Sequence, residues 1–101
     1  MDTKITARHF HASPQLKDFV SSRLSKLERL FTGINNVHVV LLEQQHNTPD
    51  SRTFAEIKLN AYKSSFTAQE QAKSYEEAID RCVSRLRRQV MKYKGKRQRS
   101  G

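Results

Sequence analysis

Polar and apolar positions alternate from the start of the chain, with Ile5 and Ala7 on one side of an extended segment and Lys4, Thr6 and Arg8 on the other. A period of two is the mark of a half-buried strand, here residues 3–9. The period then changes. Leu16, Phe19, Val20, Leu24, Leu27, Leu30 and Phe31 recur at spacings of three and four, which predicts an amphipathic helix from Pro14 to Phe31. Ser13-Pro14 suits its start, because a serine hydroxyl accepts from a free N–H of the first turn and proline needs no donor there. Gly33 follows where a left-handed cap is expected. Arg23 lies among the apolar positions and should snorkel, with Lys26 and Arg29 facing outward.

Residues 36–45 hold Val37, Val39, Val40, Leu41 and Leu42 with little alternation, as in an interior strand covered at least in part on both faces. His46 to Arg52, with Asn47, Pro49 and Asp50, reads as a turn or loop. Strict alternation resumes over 53–62, where Ala55, Ile57, Leu59 and Ala61 share one face and Phe54, Glu56, Lys58 and Asn60 the other. A strand over 64–71 follows so closely that Lys63 must sit in a hairpin turn. Ser74-Tyr75-Glu76-Glu77 has the spacing of a capping box, and the helix it opens is expected to reach Lys94. Gly95 then begins a segment with no apolar residue, for which disorder is expected.

The predicted order is β-α-β-β-β-α. A strand–helix–strand start implies a right-handed crossover between parallel strands, and hairpins add antiparallel ones. The expected architecture is a two-layer α+β domain over residues 1–94, a four-stranded mixed sheet with both helices on one face, followed by a basic disordered tail, 95–101.

Charge changes the picture through its location. The net charge is +9, yet residues 1–80 hold ten Lys or Arg against ten Asp or Glu, whereas residues 81–101 hold nine Lys or Arg and no acid. Segregated charge attracts a polyanion, and nucleic acid fits better than an anionic membrane. At 100° per residue, Tyr75, Ile79, Cys82, Val83, Leu86, Val90 and Tyr93 fall in one arc of the last helix, which is the core face. Arg81, Arg85, Arg88 and Lys92 fall in a separate arc about 60° wide with no acid interleaved. A solvated helix face usually mixes signs to gain ion pairs. A row of guanidinium forks instead suits phosphate oxygens.

Chemistry beyond binding finds little support. His9 and His11 lack further ligands at a recognisable spacing, so no metal is expected. No glycine-rich loop could cradle a nucleotide, and no serine or cysteine stands in a nucleophile motif. No catalytic residue, cofactor or small-molecule substrate is therefore predicted. Cys82 is alone, at a core position, and can form no internal disulfide, which suits a reducing compartment. No apolar run is long enough to span a bilayer and no secretory pattern opens the chain, so a cytoplasmic location is expected. Tyr62, Tyr75 and Phe54 occupy strand or core-helix positions, which favours packing over base stacking.

Several segments together resemble the bacterial ribosome hibernation-promoting factors and ribosome-associated inhibitors. These are Ile5-Thr6, the helix end Leu24-Ser25-Lys26-Leu27-Glu28-Arg29, the strand entry Ile34-Asn35-Asn36-Val37-His38-Val39-Val40-Leu41, and Tyr75-Glu76-Glu77-Ala78-Ile79-Asp80 followed by Leu86-Arg87-Arg88-Gln89-Val90 and Lys92. The resemblance implies the same β-α-β-β-β-α fold and a partner, the small ribosomal subunit, whose ribosomal RNA is bound between head and body where transfer and messenger RNA would lie. It implies translational silencing by occupancy. Arg85, Arg88 and Lys92 match family positions that contact RNA, and Lys26 and Arg29 match basic positions at the end of the family's first helix and are taken as RNA-binding with them; Arg81 and Lys94 join from helix geometry. The short, basic C-terminal segment resembles the short hibernation-promoting type, expected as a monomer when free. The N-terminal domain of a long factor, or a general double-stranded RNA-binding module, are the alternatives.

Overall fold

The computed structural model of the chain describes residues 2–43 and 53–99. The loop expected over 46–52 lies outside the described residues. The elements run β1 (Asp2–Arg8), α1 (Pro14–Leu30), β2 (Ile34–Glu43), β3 (Thr53–Ala61), β4 (Ser64–Ala72) and α2 (Tyr75–Arg99). The sheet has the order β1-β2-β3-β4, with β1 parallel to β2 and the other two pairings antiparallel. The expected two-layer α+β architecture is the one observed.

Register follows from the alternation of side chains. Ile5, Val39, Ile57 and Ala68 stand in one row across the four strands, and the next row is Thr6, Val40, Glu56 and Gln69. The first row faces the helices and the second faces away. Val20, Leu24 and Leu27 of α1 and Ile79, Cys82, Leu86 and Val90 of α2 are buried with Val37, Val39, Leu41, Ile57 and Leu59 of the sheet. Burying a side chain of this size contributes roughly 1.5–3 kcal/mol, so this single core supplies most of the driving force.

The open face is polar along most of its length. Asn60 Nδ2 donates to Asn36 Oδ1 at 2.6 Å, and Ser65 donates to Asn60 Oδ1 at 2.6 Å. Here β2 has the partial cover that its apolar run leads one to expect. It is interior in the sheet, but only one of its faces is covered by helix; Val40 and Leu42 stand half-buried on the open side, where Leu42 pairs with Phe54. Phe54 is thus outside the core. An unbroken apolar run marks an interior strand but does not tell whether its second face meets a helix.

Both helix starts are capped as the sequence indicates. Ser13 Oγ accepts from the Leu16 N–H at 3.1 Å, and Ser74 Oγ accepts from the Glu77 N–H at 3.2 Å. The reciprocal half of the second capping box is replaced, because Glu77 spends its carboxylate on Arg81, one turn further along. Phe10 stacks on Tyr75 at 4.6 Å between centroids and ties the segment before α1 to the start of α2.

Two expectations are corrected. Gly33 is not a left-handed cap, since no glycine among the described residues has positive φ. Its role is space: a Cβ there would sit 2.3 Å from Tyr62 Cε1. Tyr62 and Lys63 instead take the left-handed conformation, φ 54° and 60°, in the two-residue turn joining β3 to β4. That geometry matches the twist of a hairpin but costs roughly 1–2 kcal/mol for each non-glycine residue. Tyr62 is held in compensation: its hydroxyl accepts from the Gly33 N–H at 3.4 Å, and Tyr93 donates to its carbonyl at 3.3 Å. The second correction concerns the boundary at 94/95. Helix α2 continues through Gly95 to Arg99, so residues 95–99 are helical rather than a separate tail. One glycine in a helix costs about 1 kcal/mol, and Lys, Arg and Gln on both sides are good helix formers.

Candidate nucleic-acid interface

Helix α2 presents its charges on two flanks, set by which way the helix rolls to bury Leu86 and Val90. One flank lies over β4, the edge strand. Here Arg81 Nη2 meets Glu77 Oε1 at 2.7 Å, and Arg85 Nη1 meets Glu70 Oε2 at 2.5 Å. The arc that looks free of acid in the sequence therefore receives two carboxylates, one from the preceding turn and one from β4. Arg88 and Lys92, on the same arc, form no ion pair among the described residues and are exposed. Arg85 and Arg88 line two adjoining shallow depressions, one reaching Ser84 and Asp80, the other Gln89 and Lys92.

The other flank faces α1. Arg23 Nε donates to Asp80 Oδ1 at 2.6 Å while its guanidinium lies 4.3 Å from the Phe19 ring centroid. Arg23 thus bridges the helices rather than simply snorkelling. Lys94 Nζ lies 5.1 Å from the Tyr62 ring centroid and 5.7 Å from that of Phe31. Such contacts contribute about 0.5–1 kcal/mol when exposed. Lys26 and Arg29 are exposed on α1 near the same end of the molecule.

The seven residues selected from the sequence consequently occupy two places. Arg81, Arg85, Arg88 and Lys92 share the β4 flank of α2, and Lys94 stands on the α1 flank with Lys26 and Arg29 on α1 itself. Arg87, exposed and between Asp80 and Lys94 in helical angle, belongs with the second group. The same helical projection that found the first arc contains it.

Cys82, behind the arc, is buried, and its thiol points at the carbonyls of Ala55 and Ala68, 3.4 and 3.6 Å away. Burial, and secondarily the Glu70 carboxylate, push its pKa up to about 12, so it is an inert thiol at neutral pH. Among the described residues there is no cluster of three or more His, Cys, Asp or Glu that could hold a metal ion, and no helix is long and apolar enough to cross a membrane.

The model of the sigma 54 modulation protein / S30EA ribosomal protein family matches residues 3–98. The chain belongs to that family. Among its relatives, the ribosome hibernation promoting factor of Klebsiella oxytoca is 30% identical over 96 residues, covering 95% of this chain and 96% of its own. The ribosome hibernation promoting factor of Escherichia coli is 31% identical over 97 residues, with 95% and 96% covered. In three dimensions the chain is similar to the N-terminal domain of Thermus thermophilus Protein Y, with a TM-score of 0.79 and 26% identity over 92% of this chain and 99% of that one. A ribosomal subunit interface protein from Coxiella burnetii shares the fold, with a TM-score of 0.78 and 19% identity over 94% and 99% of the two chains. Membership of the S30EA family agrees with the resemblance drawn from the sequence segments above.

Proposed function

We propose that this chain is a ribosome hibernation factor that binds ribosomal RNA of the small subunit in the channel used by transfer and messenger RNA and silences translation by occupying it. The observation that carries the reading is the row of Arg88 and Lys92, which meet no acid among the described residues, on a core-anchored helix, in a chain similar over almost its whole length to proteins named ribosome hibernation promoting factors. A cation with no intramolecular acid keeps its full attraction for a phosphate, and a helix packed on a sheet holds it in place at little entropic cost.

In this reading Arg88 and Lys92 form the centre of the RNA contact and Arg81 and Arg85 its flank, each reaching phosphate with donors not used by Glu77 and Glu70. Lys26, Arg29 and Lys94, at the other side of α2, meet a second stretch of backbone. The basic residues Lys96, Arg97 and Arg99 add positive charge at the end of α2. The reading involves no catalysis, cofactor, small-molecule substrate or membrane, and places the protein in the cytoplasm with the ribosomes.

Co-sedimentation with vacant ribosomes across a salt series, combined with a translation assay, tests it. Saturable binding at low salt, accompanied by arrested translation and lost on reversal of Arg88 and Lys92 to Glu, is the expected result. Failure to pellet with ribosomes at low salt would end the reading. Equal affinity for a plain RNA duplex would turn it into that of a general double-stranded RNA-binding module.

A further inference from the structure

β4 is an edge strand, and an exposed strand edge offers unpaired backbone groups to any other chain. Three side chains of α2 close it. Arg81 Nη1 donates to the Gln71 carbonyl at 3.2 Å, Arg85 Nη1 to the Gln69 carbonyl at 3.4 Å, and Gln89 Nε2 to the Thr67 carbonyl at 3.1 Å. The spacing is matched. Four residues of helix rise about 6 Å and two residues of strand about 6.8 Å, so side chains at i, i+4 and i+8 meet every second carbonyl of a strand running the other way.

From this we infer that Arg81, Arg85 and Gln89 form a clamp that closes the outer edge of β4 and keeps the chain from pairing strand to strand with a second copy of itself. Gln89 distinguishes the clamp from an RNA contact. It carries no charge for a phosphate and stands outside the cation row, yet it falls on the i+8 position that the strand requires. The two acids support the same device: Glu70, on β4 itself, and Glu77 hold the arginine forks over the edge. The opposite edge, β1, is blunted differently, by exposed Asp2, Lys4 and Arg8 along a short strand.

The test is sedimentation velocity of the full chain with Arg81→Ala, Arg85→Ala and Gln89→Ala combined, beside the unchanged chain and beside the triple variant carrying Gln69→Pro. The Gln69 carbonyl points outward, so its amide does too, and proline there removes an edge donor without breaking the β3 ladder. The unchanged chain is expected to stay monomeric, the triple variant to form dimers at a concentration at least tenfold lower than the unchanged chain, and Gln69→Pro to return it to monomer. A folded triple variant as monomeric as its parent would overturn the clamp, as would association that Gln69→Pro leaves in place. Should circular dichroism show the triple variant unfolded, Gln89→Ala alone carries the test: a measurable shift toward dimer, reversed by Gln69→Pro, supports the clamp, and no shift overturns it. Ribosome binding plays no part in these readouts, so the clamp and the RNA reading fail separately.

Discussion

Arg81 and Arg85 stand within three helical turns of Arg88 and Lys92, on the same flank, with the same charge, and yet the two pairs live in different company. The first pair is bonded to carboxylates and to the edge of β4; the second meets no acid among the described residues. The difference arises because the carboxylates of Glu77 and Glu70 reach only Arg81 and Arg85, while further along the helix β4 meets α2 through the aromatic pair Phe66 and Tyr93. A row of cations in a sequence is therefore not a uniform surface. Its free part is set by what the sheet brings beneath it.

The sharpest way to break that contrast is charge reversal. Changing Arg88 and Lys92 together to Glu should weaken ribosome binding at least a hundredfold, measured by co-sedimentation, while stability by denaturant titration stays within about 0.5 kcal/mol, as is usual for exposed positions. A large loss of stability would show that these side chains pack rather than wait for a ligand.

Cys82 reports on the engaged pair from below. Its pKa, and that of Tyr75, raised to about 12 mainly by burial, exceed the values of the unfolded chain. The unfolded state therefore releases protons first. The stability these groups contribute is intact below about pH 9 and should be lost as pH rises toward 12, at up to roughly 1.4 kcal/mol per pH unit for the buried Cys82 and less for the partly exposed Tyr75. Cys82→Ala should flatten this alkaline slope in a stability profile; an unchanged slope would show that the thiol takes no part.

Arg85→Ala should lower stability by about 1 kcal/mol, the value of a charge-assisted hydrogen bond partly open to solvent, whereas Arg88→Ala should leave the unfolding midpoint where it is. The salt dependence of binding sharpens the same comparison. Removing Arg88 or Lys92 should reduce the slope of log K against log salt by roughly 0.7–0.9 each. The smallest effect expected is that of Glu70→Gln, which releases Arg85 and should strengthen binding about two- to threefold in the same assay; weaker binding would mean that Glu70 aims the guanidinium at RNA instead of competing with RNA for it.

Much of the fold was legible because it rests on local periodicity. Leu24 and Leu27 in α1, Leu86 and Val90 in α2, and the alternation of Ala55, Ile57 and Leu59 in β3 each point to one buried face without knowledge of the rest. The capping serines and the hairpin at Lys63 were readable for the same reason. What escaped depends on partners far apart in sequence. The need for glycine at position 33 comes from the ring of Tyr62, 29 residues away. The engagement of Arg85 comes from Glu70, and that of Gln89 from Thr67 across the register between helix and strand. The end of α2 was misplaced at Gly95 because a glycine punctuates a sequence more strongly than it interrupts a helix.

For the site, the arc of Arg81, Arg85, Arg88 and Lys92 followed from helical angle alone. Its division did not; the separation of Lys94 was present in the same projection, about 200° on from Lys92, but the rings of Phe31 and Tyr62 that it meets there were not.

The most direct measurement is co-sedimentation of the unchanged chain and of the Arg88→Glu, Lys92→Glu variant with vacant ribosomes, in the presence of excess plain duplex RNA. The account predicts saturable binding of the unchanged chain that the duplex does not displace, and none for the variant. Displacement by the duplex, or binding that survives the reversal, would contradict it.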